Sequence, residues 1–473
     1  MFNTARINNK IDSFVTQIKE NGAYADTEEL KEALRDFTKV LETSKDCTPG
    51  ETAQKLLQDV TDEVISLIQQ GYADPGILVG FNLPMFNVNI KSGNTRSVGG
   101  EPITQKTLFD IASTTKIYTG VISYKLIDEG ILIPNQKIAE ILKRKIMNPE
   151  NLANITVKDI MQFGVEFRTP GRLDEAKSTA EAMEILYNTK VVKTGEYKYN
   201  DIGMMLLKEV MEEVTGKTYE QLFYDYIVKP LSLKNTMLTV PEEKRLLVTG
   251  TPNWQSGMPN DPKAVIMGGH SGHAGVFANN SELLQVLTNL WINPKYFNPK
   301  HLKDLITPGL KDSRGVYGST YTTHPTGLGE SFVDVKYPRD TYAVQGSTRT
   351  QAISGVLRLY KETIPFGTTI LMNPDSLSKD IVMQKQDSIN KQRAASGRGP
   401  INLITERKFI DKMGQEKTFS SIDGRPLIPV AKLDELNKKS AAAVLKLALL
   451  GIVINEYEPT YNKQEDVSIR PSK

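Results

Sequence analysis

The sequence predicts a layered fold of the α+β or α/β class, and two observations carry this prediction. Residues 76–81 (GILVGF) and 86–90 (FNVNI) have the composition of two strands, and the second alternates apolar and polar side chains. Helical stripes of apolar residues, at spacings of three and four, come before and after these strands. Strands that lie between helices, with no repeat at a fixed period, favour a sheet packed against helices over a solenoid.

Composition excludes several classes of protein. Of the 473 residues, 39% are hydrophobic and 24% are charged, which is typical of a globular chain and not of a disordered or fibrous one. The 58 basic and 56 acidic residues give a net charge of +2, so we expect no nucleic-acid partner. Cys47 is the only cysteine and there are four histidines. We therefore predict no disulfide framework, no metal site and no cofactor.

Targeting signals and membrane segments are not evident. Residues 1–30 carry several charges and contain no apolar run like the core of a signal peptide. The most apolar stretch, residues 441–454, is interrupted by Lys446 and is too short to span a bilayer. We expect a cytoplasmic protein with no integral membrane segment, although an extracytoplasmic chain whose leader had been removed would look the same. The sequence does not indicate an oligomeric state.

The chain divides into a short extension and one large domain. Residues 1–46 are polar with two amphipathic stripes, which predicts a helical extension packed on the main body; a separate partner-binding hairpin is the alternative. The main domain is predicted over residues 47–473, after the turn signal TPG at 48–50. Residues 376–430 are rich in Lys, Gln, Arg and Ser and are interpreted as an insertion, either a solvated excursion or a lid.

The sharpest local feature is the segment STTK at residues 113–116, followed by a helical pattern that is apolar on two faces. Ser113 would begin this helix, and Lys116 would lie one turn later on the same face. A serine hydroxyl needs a neighbouring base to become a nucleophile, and a buried lysine is such a base. The tetrapeptide alone is weak evidence, because Ser113 would also serve as a simple helix cap.

The longer segment TLFDIASTTK, residues 107–116, resembles the serine β-lactamase and penicillin-binding-protein superfamily, in the branch of class C β-lactamases, D-alanyl-D-alanine carboxypeptidases and esterases. The resemblance covers residues 50–375 and resumes at 433–456. It implies an α+β fold in which an antiparallel sheet flanked by helices lies beside an all-α lobe, here residues 114–260. It also implies that Ser113 is the acylated residue, that Lys116 is its partner, and that the serine lies in the cleft between the lobes.

A second family element is a Tyr-x-Asn triplet before a buried helix, and residues 197–203 (YKYNDIG) match it. The helix that follows fixes the alignment, so Tyr199 takes the place of the tyrosine and Asp201 that of the asparagine. The resemblance implies that both belong to the catalytic group. An aspartate would still accept a hydrogen bond from Lys116, but its charge would favour a protonated lysine and shift the role of base toward Tyr199. The alternative is a core tyrosine beside a helix-capping aspartate.

Two further segments resemble family signatures. Residues 268–277 (GGHSGHAGVF) match a glycine-rich loop, in which we expect His273 to be structural or to line the substrate site. Residues 344–351 (VQGSTRTQ) match the strand that faces the serine, with Gly346 as its glycine and Val344 in place of the usual Lys or His. The resemblance implies that the amide of Ser347 completes an oxyanion hole with that of Ser113. Arg349 shares a strand face with Ser347 and is a candidate for the missing positive charge.

These features predict a serine hydrolase that acts through an acyl-enzyme on an ester or amide, including D-amino-acid and peptide amides. A penicillin-recognising D,D-carboxypeptidase or β-lactamase is the second hypothesis, weakened by Val344, since a carboxylate-bearing substrate would lack its cation. A non-catalytic binding paralogue of the fold is the third, motivated by Asp201 and Val344. In each case the partner is a small-molecule or peptide substrate.

Overall fold

The computed structural model describes most of the chain. Its described residues are 28–69, 76–96, 100–196, 198–249, 257–301, 308–311, 317–319, 341–345, 350–359, 362–373, 379–422, 430–457 and 465–469, with single residues at 9, 13 and 16. The apolar stripe predicted in the first 27 residues, Ile11, Val15 and Ile18, lies outside the described residues. Within the described part of the chain, no helix combines the length and the apolar character needed to cross a bilayer.

Helices and strands alternate along the chain. The α-helices are α1 Glu28–Thr43, α2 Pro49–Leu56, α3 Gln58–Gln69, α4 Thr115–Asp128, α5 Ile138–Ile141, α6 Val157–Met161, α7 Thr179–Tyr187, α8 Asp201–Thr215, α9 Tyr219–Phe223, α10 Lys229–Leu231, α11 Pro262–Ile266, α12 Asn280–Ile292, α13 Lys379–Ala395 and α14 Val430–Tyr457. The strands are β1 Gly76–Leu83, β2 Phe86–Ser92, β3 Phe109–Asp110, β4 Val165–Arg168, β5 Lys190–Thr194, β6 Thr236–Met237, β7 Phe277–Ala278, β8 Pro308–Lys311, β9 Tyr317–Ser319, β10 Thr341–Gln345, β11 Gln351–Leu359, β12 Glu362–Asn373, β13 Ile404–Ile410, β14 Glu416–Ile422 and β15 Glu465–Ile469.

The main sheet has six strands in the order β10-β11-β12-β1-β2-β15. Its first five strands pair antiparallel, which confirms the predicted sheet and the two strands predicted from the sequence. The last strand, β15, differs because it pairs parallel to β2. Alternation along β1 sends Ile77, Val79 and Phe81 into one core and Leu78 into another, so both faces of the sheet are covered.

Each face of the sheet is covered by a different group of helices. The first core joins the sheet to α1, α2, α3 and α14, so the helices from the two ends of the described chain pack on one face. Helix α12 packs on the other face, against β1, β11 and β12. The helical extension predicted from the sequence thus contains α1, which packs against α14.

The second core fills the helical lobe beside the sheet. Helix α4 is apolar on two faces and is buried at most of its positions, as expected for a helix at the centre of a lobe. Its C-terminus is followed by Gly130 at φ +72°, a left-handed conformation that favours glycine and commonly ends a helix. The lobe predicted as all-α also contains the antiparallel hairpin β4–β5. Leu78 and Leu371 from the sheet belong to the same core, so lobe and sheet form one packed unit.

The segment interpreted as an insertion has its own secondary structure. It forms helix α13 and the hairpin β13–β14, which pairs from Ile404↔Ile422 to Ile410↔Glu416. The hairpin packs on the helical lobe: Phe409 and Phe419 are buried against residues of α7 and α11. Ile410 donates its backbone N–H to the carbonyl of Lys177 over 2.8 Å. The hairpin is therefore attached to the lobe on the side that carries α11.

Gly80 shows how closely α12 approaches the sheet. A Cβ atom at residue 80 would lie 2.1 Å from the side-chain Nδ2 of Asn280, at the start of α12. That amide is held in place, because Asn280 donates to Asn89 Oδ1 over 2.6 Å and accepts from the hydroxyl of Thr369. The contact requires a residue without a side chain at position 80.

We expect Gly80→Ala to lower the free energy of unfolding by about 2 kcal/mol or more, because the added methyl group displaces a fixed, buried amide. Urea unfolding monitored by circular dichroism measures the change. Gly399→Ala is the matched control, since residue 399 is exposed and no atom lies within 4 Å of the place that an added methyl group would take. Equal unfolding midpoints for the two variants would show that α12 moves away from the sheet at no cost.

Candidate active site

Ser113 lies on a constrained turn between strand β3 and helix α4. The turn is a short 3₁₀ helix, Ala112–Thr114, that leads directly into α4. Ala112 has φ +46°, a left-handed conformation that is uncommon for a residue with a side chain. Ser113 itself is half-buried, so its hydroxyl is accessible at the start of the helix. Strain of this kind is often found where a structure holds a reactive group in one orientation.

Asp110 holds this turn from beneath. Its Oδ1 accepts the backbone N–H of Ala112 over 2.8 Å, and its Oδ2 accepts that of Asn260 over 2.6 Å. The residue is only 2% exposed. Burial raises the pKa of the Asp110 carboxyl to about 6, although the two backbone N–H groups act in the opposite direction. Asp110 therefore ties the strained turn to the segment that follows residue 257.

Lys116 is fully buried and meets four oxygen atoms. Its Nζ donates to Ser113 Oγ over 2.8 Å, to the hydroxyl of Tyr199 over 2.7 Å and to the backbone oxygen of His273 over 3.3 Å. Its Nζ also lies 2.9 Å from Oδ1 of Asp201. Three of the residues predicted as catalytic therefore surround the fourth, at hydrogen-bonding distance.

The charges of Lys116 and Asp201 are linked. Burial by itself lowers the pKa of Lys116, but the neighbouring Asp201 and Tyr199 outweigh it, and the pKa is raised. Burial by itself raises the pKa of Asp201, but Lys116, His273 and Lys263 hold that pKa well below its usual value. The pair is thus an ammonium and a carboxylate at neutral pH. Asp201 therefore favours the protonated form of Lys116, which is the effect expected from an aspartate at this position.

Tyr199 is positioned by the start of helix α8. Its ring stacks on Phe163, with centroids 5.8 Å apart and planes 5° from parallel, and 41% of the residue is exposed. Asn200 caps α8 by accepting the N–H of Gly203 over 2.7 Å, and it also donates to the carbonyl of Val165 over 3.0 Å. Because Asn200 is the cap, the carboxylate of Asp201 is left free to reach Lys116.

The glycine-rich loop at residues 268–276 forms one wall of the site. Gly275 has φ +110°, and a Cβ there would lie 2.3 Å from the carbonyl of Gly269, so the loop folds tightly on itself. His273 is fully buried; its Nδ1 lies 3.0 Å from the hydroxyl of Ser271, and its Nε2 lies 3.1 Å from Asp261. This burial favours the structural one of the two roles expected for His273.

A second lysine, which the sequence did not single out, completes the group of charges. Nζ of Lys263 lies 3.1 Å from Oδ2 of Asp201 and 3.6 Å from Oδ2 of Asp261. Asp201, Asp261 and His273 have ligand atoms within 4.8 Å of one another, a spacing that a metal ion would require. The ammonium of Lys263 already provides a cation beside both carboxylates. In the sequence, Asp261 and Pro262 are typical of the start of a helix. No local pattern indicates that Lys263 pairs with Asp201.

The fourth predicted element is only partly described. Gly346, Ser347 and Arg349 lie outside the described residues, so the predicted oxyanion and charge roles stay predictions. Strand β10 ends at Gln345, and it lies beside the Ala112–Thr114 turn. The backbone that leads into the predicted oxyanion segment therefore approaches the serine.

The arrangement is able to transfer protons between a serine, a lysine and a tyrosine. A profile of the Beta-lactamase family matches residues 87–375, a range that includes Ser113, Lys116, Tyr199 and Asp201. The chain belongs to the Beta-lactamase family. The match stops just before residue 376, so the hairpin β13–β14 lies beyond the part that this Beta-lactamase family member shares with the profile. Membership confirms the superfamily predicted from the sequence.

Individual relatives of this Beta-lactamase family member are distant. The chain is 31% identical over 222 residues to the "N-acetylmuramyl-L-alanine amidase" of Bacillus subtilis (strain 168), an alignment that covers 39% of this chain and 50% of that protein. It is 25% identical over 250 residues to a "Putative D-alanyl-D-alanine carboxypeptidase" of Escherichia coli (strain K12), an alignment that covers 44% of this chain and 58% of that protein. The chain thus spans about half the length of the curated relatives it matches.

Solved structures share the fold. EstCE1, "a hydrolase with promiscuous acyltransferase activity", superimposes with a TM-score of 0.52 at 15% identity, over 70% of this chain and 98% of that one. The "Beta-Lactamase/D-Alanine Carboxypeptidase" of Pseudomonas syringae superimposes with a TM-score of 0.52 at 15% identity, over 69% of this chain and 95% of that one. At such identities the likeness concerns the fold alone, and it confirms the predicted α+β architecture.

The raised pKa of Asp110 predicts a specific dependence of stability on pH. Because its folded value of about 6 lies above the ordinary 3.8, the folded protein binds more protons between these values, and the free energy of unfolding falls as the pH rises. Asp110→Asn removes this titration. From pH 4 to pH 7.5, the unfolding free energy of the variant relative to wild type should rise by about 2 kcal/mol. Urea unfolding at several pH values measures the difference, and a pH-independent difference would contradict the shifted pKa.

Proposed function

We propose that this chain is a serine hydrolase that cleaves an ester or amide bond through an acyl-enzyme on Ser113. One observation carries the proposal: the fully buried Nζ of Lys116 lies 2.8 Å from Ser113 Oγ and 2.7 Å from the hydroxyl of Tyr199. The nucleophile thus contacts the amine, and the amine contacts the phenol, so the two groups that we assign to the proton relay are in place before any substrate binds.

The first half of the reaction forms the acyl-enzyme. In the form of the enzyme in which the Lys116–Tyr199 pair has already lost one proton, Ser113 Oγ attacks the substrate carbonyl carbon while its own proton passes to that pair, giving a tetrahedral oxyanion. The N–H of Ser113, with that of Ser347, is the donor pair that we assign to this oxyanion. The intermediate then collapses: the bond to the leaving alcohol or amine breaks, and the leaving group takes the proton from the same pair.

The second half releases the acid. Water loses a proton to the Lys116–Tyr199 pair and attacks the acyl carbon, and the bond to Ser113 Oγ breaks as the serine recovers that proton. The exposure of Tyr199 supports its role on the solvent side of this relay, because 41% of the residue is accessible. The complete burial of Lys116 supports its role on the inner side of the relay, away from solvent.

The substrate class is an ester or an amide, and the named relatives support testing amides next to alanine. One relative is named for the bond between N-acetylmuramic acid and L-alanine, and the other for D-alanyl-D-alanine. The second name favours a penicillin-recognising D,D-carboxypeptidase as a second candidate function. Its substrate carries a free carboxylate, whereas position 344, where the family has a cation, is Val344.

Labelling with a fluorophosphonate tests the proposed nucleophile. We expect one adduct per chain by intact mass on the wild type and none on Ser113→Ala, because the reagent phosphonylates an activated serine. A fluorescent penicillin, applied separately, distinguishes the two candidate functions: labelling by the fluorophosphonate alone supports the esterase or amidase, and labelling by both supports the carboxypeptidase. Absence of both adducts on the wild type would leave a non-catalytic binding protein and refute the proposal.

Removal of the lysine amine tests the proton relay. Lys116→Met keeps the length of the side chain but cannot accept the proton of Ser113, so we expect kcat/KM for a nitrophenyl ester to fall by about 10²–10⁴. Lys125→Met, on the same helix and bonded to the backbone of Tyr296, is the matched control and should retain most of the rate. Similar rates for Lys116→Met and wild type would show that another group activates the serine.

A further inference from the structure

A carboxylate shared by two lysines distinguishes this site. Asp201 lies 2.9 Å from Nζ of Lys116 through Oδ1 and 3.1 Å from Nζ of Lys263 through Oδ2. Lys116 contacts the serine directly, whereas Lys263 reaches the site only through Asp201. The side chain of Lys263 is 24% exposed and that of Asp201 22%, so both lie at the edge of the buried site.

Helix α11 fixes the position of Lys263. Asp261 caps this helix, and its Oδ1 accepts the N–H of Lys263 over 2.8 Å and that of Ala264 over 3.2 Å. Pro262 follows at the first helical position, where its ring favours the helix. Ala264, Val265 and Ile266 are buried. The helix start therefore places the first turn, and with it Lys263, against Asp201.

We propose that Lys263 is a positioning residue that offsets the charge of Asp201 and so sets the pH at which Lys116 and Tyr199 accept the proton of Ser113. The proposal rests on the proposed hydrolase function. The family pattern has a neutral asparagine at the place of Asp201. Asp201 and Lys263 together carry no net charge, as an asparagine does, so the lysine offsets the negative charge that the aspartate adds, although Asp261 at 3.6 Å shares the same lysine.

The sign of the effect follows from Coulomb interactions. Asp201 alone stabilises the ammonium of Lys116, which opposes proton uptake from the serine. The positive charge of Lys263 destabilises that ammonium and therefore acts in the opposite direction. If Tyr199 is the base, Lys263 and Asp201 have effects of the same direction. The positive charge of Lys263 favours the phenolate, and the negative charge of Asp201 opposes it.

The other charged groups around Lys263 are few among the described residues. Asp261 on its own helix and Asp201 on α8 are its ion-pair partners, and Asp174, which precedes α7, adds a more distant negative charge. His273 on the glycine-rich loop faces Asp261. Burial lowers the pKa of Lys263, but the three carboxylates outweigh it and raise the pKa, so the lysine keeps its charge throughout the pH range of the test.

Four variants test the proposal: Lys263→Met, Lys263→Arg, Asp201→Asn and the double variant Asp201→Asn/Lys263→Met. The readout is the pH dependence of the second-order rate constant for fluorophosphonate labelling, which requires no knowledge of the substrate. The midpoint of the acidic limb should rise by about one pH unit in Lys263→Met and fall by about one unit in Asp201→Asn. In the double variant and in Lys263→Arg it should lie near the wild-type midpoint.

A purely structural role for Lys263 gives a different pattern. Loss of a stabilising ion pair would slow labelling in both single variants without moving their midpoints in opposite directions, and the double variant would be no closer to wild type than either. That result would overturn the proposal. Thermal unfolding midpoints of the four variants identify any that is misfolded. Lys263→Arg keeps the positive charge, so its labelling midpoint must lie near that of the wild type if the charge of Lys263 is what matters.

A second measurement separates this proposal from the proposed function. If the wild type is not labelled at any pH, the hydrolase proposal fails, but the charge relation is still measurable. Titration of [13Cε]-lysine by NMR, with Lys116 assigned from its absence in Lys116→Arg, reports the protonation of Lys116 directly. Its midpoint should rise in Lys263→Met and fall in Asp201→Asn; shifts in the same direction would overturn the inference whether or not the protein is an enzyme.

Discussion

The burial of one ammonium group is the constraint on which this structure depends. Removing a charged lysine from water costs several kcal/mol unless oxygen atoms replace the lost hydration. Lys116 obtains these oxygens from the turn before α4, from the start of α8 and from the glycine-rich loop. Those segments must therefore fold together for any of them to be stable. The strained turn at Ala112 and the tight loop around Gly275 both lie in segments that bring an oxygen atom to this nitrogen.

The same constraint explains why the site has alternating charges. Lys116, Asp201, Lys263 and Asp261 form a row in which each group is near one of opposite sign. Such a row is more tolerant of burial than an isolated pair, because the two inner charges, Asp201 and Lys263, each interact favourably with two neighbours. The row also extends the site beyond Ser113, Tyr199 and Asp201, the three side chains in contact with Lys116, to a helix whose sequence resembles no catalytic motif.

The sequence predicted those parts of the structure that depend on neighbouring residues. The strands predicted at 76–81 and 86–90 and the helix that follows Ser113 come from local patterns, and the structure confirms them, with strands that extend to Leu83 and Ser92. The antiparallel sheet and the lobe came from the resemblance to a family.

Other features were beyond local patterns. The parallel pairing of β15 with β2 and the ion pair of Lys263 with Asp201 join segments far apart in the chain. A lysine on a helix is ordinarily a solvated residue, so nothing in its own neighbourhood marked Lys263. The alternative of a helix-capping aspartate at position 201 could not be set aside from the sequence, because Asn200 and Asp201 are both good capping residues and only the position of Lys116 distinguishes them.

The attachment of the β13–β14 hairpin has an evolutionary consequence. Phe409 and Phe419 bury the outer side of α11, and Arg407 forms an ion pair with Asp174 at 3.1 Å. The helix that presents Lys263 to the site is therefore supported from behind by a segment outside the shared family region. Loss or replacement of the hairpin would disturb α11, and with it the charge beside Asp201. The hairpin and the residue at position 201 are accordingly expected to change together among related proteins, so that chains lacking the hairpin have a neutral residue at this position.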